Sequence, residues 1–317
     1  MTAVVHADRR SGAPGALPRY EIVGPTDAPV IIVLGGISAD AHICAHEDDA
    51  RSGWWESSAG RGKALDTDAF RLVGVEFLDG GEGADGRPQR IVTTHEQAQA
   101  IHDLVDHIGV ARVHAMVGAS YGGMVALAFA ERYAARLERL VVIGAAHRTH
   151  PLTTAWRVTQ RRIVELGLAT GRARDALIIA RGLAMTTFRT GQEFARRFDV
   201  APSARTQNDA TFPVESYLRN NGERFADRFT PARFLALSLS GDLHAVDPQR
   251  IATTTTVVAE EGDLIVPAED TAELAGLLAG PSRLVQLRSD HGHDAFLTDP
   301  QHLDPILRAA LSTAASP

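Results

Sequence analysis

The stretch VGASYGGMVA places Ser120 between two glycines, Gly118 and Gly122. The preceding residues, RVHAMVG, are typical of a short buried strand, and the following GGMVALAFAERYAARL has apolar residues at helical spacing. Ser120 is therefore predicted on a tight turn between a strand and a helix. Its hydroxyl would be exposed at the helix N-terminus, where backbone N–H groups favour a developing anion. This combination indicates a nucleophile.

A serine hydroxyl needs a general base to become a nucleophile, and the base needs a carboxylate to orient it. Asp263 follows the predicted strand TTTTVVAEEG, and His293 follows the last predicted strand, within SDHGHDAF. We predict that Ser120, Asp263 and His293 form a catalytic triad, in the chain order that such strand–turn–helix serines use. Spacing alone leaves three alternatives open: His291 as the base, and Asp242 or Asp247 as the acid.

An attacked carbonyl also needs donors for its developing negative charge. One predicted donor is the backbone N–H of Tyr121, the residue after the nucleophile. The other is the N–H of Ile37, in the LGGIS segment that follows the predicted strand PVIIV. The glycines of that segment are equally consistent with a simple turn.

These residues require an open sheet that brings several strand ends together. Strand-like and helix-like segments alternate up to about residue 146, which indicates a mostly parallel sheet with helices on both faces. We predict the α/β-hydrolase fold, class α/β, with residues 1–146 and 236–317 as the core domain. Residues 147–235 have helical patterning and no strong strand, and are predicted to form a helical lid inserted over the strand ends.

The composition excludes several other functions. The net charge of −7 argues against general nucleic-acid binding. No apolar run reaches the length of a membrane span, and the first 19 or so residues look like a loose lead-in without an apolar signal segment. The single cysteine, Cys44, allows no intrachain disulfide. We therefore expect a cytoplasmic protein without membrane or nucleic-acid partners.

The histidines show no convincing metal-ligand spacing, so no metal site and no permanently bound cofactor are predicted. One basic segment is unusual in an acidic chain. Ten arginines lie between Arg148 and Arg197, against only three acidic residues. Most of these arginines are expected on solvated helix faces.

Several longer stretches are more specific than the serine motif. They are GISADAHICA, SGWWESSAGRGKALDTDAFRLVGVEFLDG, TTFRTGQEFARRF, FPVESYLRNNGERFADRF and SDHGHDAFL. Together with VGASYGGMVAL, they resemble the homoserine O-acyltransferases of the α/β-hydrolase fold over about residues 31–297. The resemblance implies acyl transfer from acyl-coenzyme A to the hydroxyl of L-homoserine through an acyl-serine, in methionine biosynthesis.

The resemblance also implies roles for individual residues. Ser120, Asp263 and His293 match the nucleophile, acid and base of the family. Arg189 matches an arginine that binds the amino-acid carboxylate, and Asp294 matches an acid that binds the amino group; both pairings suit the charges involved. Relatives dimerise through their lids, so a homodimer is expected here, but the contacts of coenzyme A are not indicated.

The acyl donor is less clearly indicated than the reaction. The chain departs from acetyl-type relatives around Ile37 and at Tyr121, where relatives have methionine. A succinyl group would bring a second carboxylate that needs a cation, because an unpaired buried charge is costly. This favours succinyl over acetyl, with three arginines as candidate cations: Arg51, Arg61 and Arg148.

Other functions remain compatible with the same residues. A triad alone also suits an esterase or thioesterase, and some relatives acylate serine instead of homoserine. A non-catalytic binding protein is disfavoured by the complete set of serine, acid and base. The predicted amino-acid clamp favours transfer over hydrolysis.

Overall fold

The computed structural model describes residues 3–5 and 16–312. Its strands are β1 Ala3–Val5, β2 Arg19–Val23, β3 Val30–Leu34, β4 Arg71–Glu76, β5 Val113–Ala119, β6 Leu137–Ile143, β7 Ala204–Arg205, β8 Ala210–Thr211, β9 Thr254–Glu260 and β10 Ser282–Leu287. Its α-helices are α1 Thr94–His107, α2 Tyr121–Tyr133, α3 Pro151–Ala169, α4 Ala173–Phe188, α5 Gly191–Arg197, α6 Pro213–Ala226, α7 Pro231–Asp242, α8 Ala268–Leu277, α9 Ala295–Thr298 and α10 Pro300–Leu311.

Eight of these strands form one sheet in the order β1-β2-β4-β3-β5-β6-β9-β10. The pairs from β4 to β10 are parallel, and β1 and β2 run antiparallel at one edge. The carboxyl ends of β3, β5, β6, β9 and β10 therefore meet along one edge, where open α/β sheets bind ligands. This confirms the predicted α/β-hydrolase fold with a mostly parallel sheet.

Helices cover both faces of the sheet. Ile32 of β3 packs into a cluster with Ile101 of α1 and Leu127 of α2, whereas its neighbour Ile31 packs into a cluster with Leu307 of α10. Successive side chains of a strand point to opposite faces, so strands buried on both sides are apolar without alternation. The all-buried sequence VHAMVGA of β5 fits this central position.

The segment between β6 and β9 is helical, from α3 to α7, with a short β7–β8 hairpin. Pro residues stand at the first position of α3, α6 and α7, where the missing N–H costs nothing. The predicted end of the lid between residues 235 and 236 is corrected, because that point lies inside α7. The apolar run through Phe234, Leu235 and Leu237 is buried and continues the helix to Asp242.

The predicted lead-in falls largely outside the described residues. Residues 3–5 and 16–19 are the exceptions, and residues 3–5 form β1, which pairs with β2. Across the described ranges, none of the helices combines the length and apolar character that crossing a bilayer requires.

Candidate active site

Ser120 lies on the turn between β5 and α2 with φ 54° and ψ −122°. Among the described residues it is the one non-glycine residue with positive φ, a conformation that costs about 1–3 kcal/mol. The flanking glycines are required by space. A Cβ on Gly118 would lie 2.4 Å from the Gly122 carbonyl oxygen, and one on Gly122 would lie 2.3 Å from that of Leu34. The strained turn exposes the hydroxyl above the strand ends.

His293 is brought to Ser120 by the 3₁₀ helix Gly292–Asp294, which follows β10. Its Nε2 lies 2.7 Å from Ser120 Oγ, and its Nδ1 lies 2.6 Å from Asp263 Oδ2. The other oxygen of Asp263 accepts the backbone N–H groups of Ile265 and Val266, at 2.7 and 3.0 Å. The carboxylate is therefore held in place. The three residues predicted as a triad have the geometry of one.

The protonation of His293 is set by opposing effects. Burial disfavours the imidazolium, but the charge and hydrogen bond of Asp263 outweigh burial, so the pKa of His293 is raised above its usual 6.5. The raised pKa suits a general base that must accept a proton from Ser120 and later return it.

A second carboxylate lies beside this pair. Glu260, at the end of β9, is fully buried, and its Oε2 lies 3.8 Å from His293 Nδ1. Its Oε1 accepts the Phe296 N–H at 3.0 Å. Burial and the nearby charge of Asp263 raise the pKa of Glu260 well above its usual value, so we infer that it is neutral. Sequence inspection missed Glu260, although AEEGD placed an acid three residues before Asp263.

The alternative bases and acids lie elsewhere. The Nδ1 of His291 lies 3.2 Å from a carboxylate oxygen of Glu193. Asp242 binds two arginines of the lid. Asp247 caps the 3₁₀ helix Pro248–Arg250 by accepting the Gln249 N–H. Each has a structural partner away from Ser120, so the geometry favours His293 and Asp263.

The predicted oxyanion donors border the same space. Tyr121 is the first residue of α2, and Ile37 lies in the loop after β3; both line a cavity that also contains Ser120. Within the part of the chain that the structure describes, neither backbone N–H has a hydrogen-bond acceptor. Both N–H groups are therefore free to donate to the oxyanion that would form when Ser120 attacks a carbonyl carbon.

The loop that carries Ile37 is held by buried polar contacts. Nδ1 of His42 lies 3.0 and 3.1 Å from the two carboxylate oxygens of Glu21, and its Nε2 lies 2.8 Å from the Arg51 carbonyl oxygen. Glu21, His42 and His46 are close enough to share a metal ion. The same is true of Glu260, Asp263 and His293. The second group contains the acid and the base of the predicted triad together with Glu260, and the contacts of the first group hold the loop.

The GWW stretch anchors the histidine loop. Trp55 is fully buried and donates its indole N–H to the Phe296 carbonyl at 2.8 Å. Its ring meets that of Phe296 edge to face, and Phe296 meets His293 in the same way. These contacts fix the position of His293 from the side of the core domain.

Two connected spaces meet at Ser120. An outer pocket of ≈ 470 Å³ contains Ser120, His293 and Asp294, together with the loop after β3. An inner cavity of ≈ 60 Å³ continues from Ser120 beneath the lid helices. A larger surface cleft of ≈ 1050 Å³, lined by residues such as Arg196 and Arg288, contains neither Ser120 nor His293 and is not part of the site.

Arg181 and Arg228 line the outer pocket and were not singled out from the sequence. The guanidinium of Arg181 lies 5.2 Å from the ring centre of Phe188 and 4.8 Å from that of Phe225. Burial lowers the pKa of Arg181, and the charge of Asp294 opposes this effect. Within the described residues, neither arginine has a carboxylate at ion-pair distance.

Arg189, predicted to bind the amino-acid carboxylate, does not line the outer pocket, and its role stays a prediction. Helix α4 ends at Phe188, and Arg189 follows it with extended backbone angles. Its Nε lies 2.9 Å from Asp294 Oδ2, without hydrogen-bond geometry, and Glu193 is a second partner at 3.3 Å. Arg189 therefore contacts Asp294, whereas Arg181, on the helical face shared with Phe188, faces the pocket.

The three arginines considered as cations for a succinyl group also differ. Arg51 lines the outer pocket, where Asp49 pairs with it. Arg61 forms an exposed ion pair with Asp68, and Arg148 forms one with Glu273, so both lie outside the pocket.

Comparison with known proteins agrees with this geometry. The family described as the alpha/beta hydrolase fold matches residues 29–300. The homoserine O-succinyltransferase of Xanthomonas campestris pv. campestris is 44% identical over 295 residues, which cover 93% of this chain and 79% of that protein. The serine O-succinyltransferase of Frateuria aurantia is 32% identical over 345 residues, 94% of each. The crystal structure of homoserine O-acetyltransferase from Bacillus anthracis superposes with a TM-score of 0.83 at 18% identity, over 94% and 92% of the two chains, which is a likeness of fold.

Proposed function

Because the chain belongs to the α/β-hydrolase fold family and, within it, to the homoserine and serine O-acyltransferases, we propose that it transfers an acyl group from acyl-coenzyme A to the hydroxyl of L-homoserine. The relative with 44% identity is a homoserine O-succinyltransferase, which favours succinyl over acetyl as the transferred group. The reaction would supply an activated homoserine for methionine biosynthesis. Acyl-coenzyme A is a co-substrate here, not a resident cofactor.

The single observation in the structure that carries this proposal is the charge pattern around Ser120. Arg181 offers a cation without a carboxylate partner among the described residues, and Asp294 offers a carboxylate, both in the outer pocket. An amino acid carries one charge of each sign. We assign its carboxylate to Arg181 and its ammonium to Asp294, which would leave the side-chain hydroxyl directed at Ser120.

The first half-reaction forms the acyl-serine. Ser120 Oγ attacks the thioester carbon while its proton passes to His293 Nε2, and the N–H groups of Ile37 and Tyr121 stabilise the oxyanion. The carbon–sulfur bond then breaks, and the thiolate of coenzyme A takes the proton from His293. Arg51 and Arg228 lie exposed in the outer pocket and are our candidates for its phosphates.

The second half-reaction reverses these proton movements. His293 accepts the proton of the homoserine hydroxyl as its oxygen attacks the acyl carbon. Ser120 leaves and recovers a proton from His293. Asp263 keeps the imidazole oriented and stabilises its cationic form throughout both steps.

Transfer requires that water does not reach the acyl-serine. Phe188 of α4 packs on His293 with ring centres 5.8 Å apart, and Trp156 of α3 lines the inner cavity next to Ser120. Aromatic side chains of the helical segment therefore border the reacting atoms on that side. This arrangement favours transfer over hydrolysis by an esterase or thioesterase on the same triad.

The proposal is tested by following thiol release from succinyl-coenzyme A with and without L-homoserine, and with L-serine in its place. We expect homoserine to raise steady-state release at least tenfold, with O-succinylhomoserine as the product. Equal release without any amino acid would indicate a thioesterase. A preference for L-serine would keep the mechanism but replace the acceptor, as in the relative from Frateuria aurantia.

A further inference from the structure

The inner cavity extends from Ser120 beneath α3, α4 and α7. Five residues line both spaces, so a group attached to Ser120 can enter either of them; they are Ile37, Ser120, Arg181, Phe188 and His293. A water-sized atom needs roughly 10–15 Å³ of such volume, so ≈ 60 Å³ holds about five. The cavity is thus large enough for a short acyl chain and far too small for coenzyme A.

The order of events in the proposed reaction determines which group occupies the cavity. Coenzyme A must leave and the amino acid must enter while the acyl group remains bonded to Ser120. Both exchanging molecules need the larger outer pocket, which contains Asp294 and shares Arg181 with the inner cavity. The acyl chain is left with the inner cavity.

The cavity has an excess of buried positive charge at its lid side. Arg157 Nη1 lies 3.0 Å from one oxygen of Asp242, and Arg161 Nη1 lies 2.6 Å from the other. The exposed fractions of the three side chains are 16%, 13% and 6%. Two arginines therefore share one carboxylate in a largely dry environment, where uncompensated charge is costly.

Only one of these arginines faces the cavity. Arg161 donates to Ser238 Oγ at 2.9 Å and does not line the space, whereas Arg157 does. Gln160 also lines it; this residue is only 6% exposed, and its amide has no hydrogen-bond partner in the described ranges of the chain. A buried cation and a buried unpaired amide thus border the same small volume.

Apolar side chains form much of the remaining wall, including Trp156, Phe234 and Leu237, and Arg181 lies at the boundary with the outer pocket, since it lines both spaces. Such walls suit methylene groups, and the two polar groups suit a carboxylate at the far end of the chain. A succinyl group has this sequence of parts: a reacting carbonyl, two methylenes and a terminal carboxylate.

We propose that the inner cavity selects a dicarboxylic acyl group, with Arg157 binding its terminal carboxylate and Gln160 donating a second hydrogen bond. The proposal rests on the proposed acyl transfer and assigns the residues that choose its donor. Arg157 would bind the acyl group directly, whereas Arg161 keeps Asp242 satisfied.

A purely structural role makes a different prediction. If the two arginines serve only to fasten α3 to α7 through Asp242, replacing Arg157 would impair every acyl donor to the same degree. If Arg157 bound the amino-acid carboxylate instead, its loss would raise the KM for L-homoserine and leave the preference between donors unchanged.

The test compares kcat/KM for succinyl-coenzyme A and butyryl-coenzyme A at saturating L-homoserine. Butyryl has the same carbon chain but a methyl group in place of the carboxylate. The wild type should prefer succinyl at least 100-fold. Arg157→Met should lower the succinyl-to-butyryl ratio at least 50-fold, chiefly through the succinyl value. Arg162→Met is the matched control, because Arg162 is an exposed α3 arginine paired with Glu165, and its ratio should stay at the wild-type value.

Two outcomes would overturn the inference. One is a wild type that shows no preference for succinyl over butyryl, and the other is a ratio in Arg157→Met within threefold of the wild type. Should Arg157→Met fail to fold, Gln160→Met provides a second variant, for which we expect a tenfold lower ratio; an unchanged ratio there also contradicts the inference. Failure to acylate homoserine with any donor would instead contradict the proposed function.

Discussion

Glu260 and Asp263 are two buried carboxylates that approach the same nitrogen of His293, with Glu260 Oε2 at 3.8 Å and Asp263 Oδ2 at 2.6 Å. Two carboxylates so close together cannot both ionise easily, and the one with more backbone donors keeps the charge. Asp263 accepts two backbone N–H groups, whereas Glu260 accepts one. We therefore assign the negative charge of the site to Asp263 and the neutral form to Glu260.

The first prediction separates these two acids. Asp263→Asn should lower kcat on the order of 10³–10⁴-fold, because a neutral amide no longer stabilises the imidazolium or its orientation. Glu260→Gln should retain kcat within tenfold, since an amide resembles the neutral acid in shape and charge. The measurement is steady-state acyl transfer with both variants matched for thermal unfolding midpoint. The reverse ranking would show that Glu260 is the acid of the triad.

The second prediction concerns pH. His293 must be neutral to accept the Ser120 proton, and the pKa of His293 is raised above 6.5. The kcat/KM for the acyl donor should therefore rise with pH through an apparent pKa above 6.5 and then level off. Glu260→Gln should leave the apparent pKa of this rise unchanged, because it replaces one neutral side chain beside His293 with another. A limb that levels off below pH 6 would contradict the assignment.

The third prediction concerns the two arginines near the end of α4. Arg181→Met should raise the KM for L-homoserine roughly 10- to 100-fold, as expected for the loss of a hydrogen-bonded ion pair worth about 1.5–3 kcal/mol. The burst of thiol release that reports acyl-serine formation should change much less. Arg174→Met is the matched control, since Arg174 lies on the same helix in an exposed pair with Asp227. If Arg181→Met changed only the burst of thiol release, Arg181 would bind the acyl donor and not the amino acid.

The fourth prediction is a homodimer formed through the lid. Several apolar side chains of α3 and α4 are exposed, among them Leu166 at 66% and Ile179 at 59%. Light scattering at micromolar protein should give twice the chain mass, and Leu166→Glu combined with Ile179→Glu should shift it towards the monomer. A monomeric wild type at this concentration would refute the prediction.

The sequence predicts those site residues whose role follows from a local pattern. Ser120 needs only a strand, a turn and a helix in succession, and Asp263 and His293 are marked by the strands that end just before them. Their mutual distances follow from the parallel order of β5, β9 and β10, which the alternation of elements predicts.

The proposed roles that depend on side-chain direction or on distant contacts could not be predicted from the sequence. Arg181 and Arg189 are eight residues apart, and only the point at which α4 ends decides which of them faces the pocket. Arg157 lies in a basic segment where most arginines were expected on the surface. Arg157 differs from an exposed arginine in its ion pair with Asp242, which lies 85 residues further along the chain, on another helix.

The central claim is that Ser120 carries the acyl group between the two substrates. The most direct measurement is the intact mass of the protein mixed with succinyl-coenzyme A, before and after addition of L-homoserine. The account predicts a mass increase of one succinyl group, located on the peptide that contains Ser120, which disappears on addition of homoserine as O-succinylhomoserine forms. Ser120→Ala should show neither the adduct nor the product. An active protein in which Ser120→Ala still forms product at more than a tenth of the wild-type rate would contradict the account.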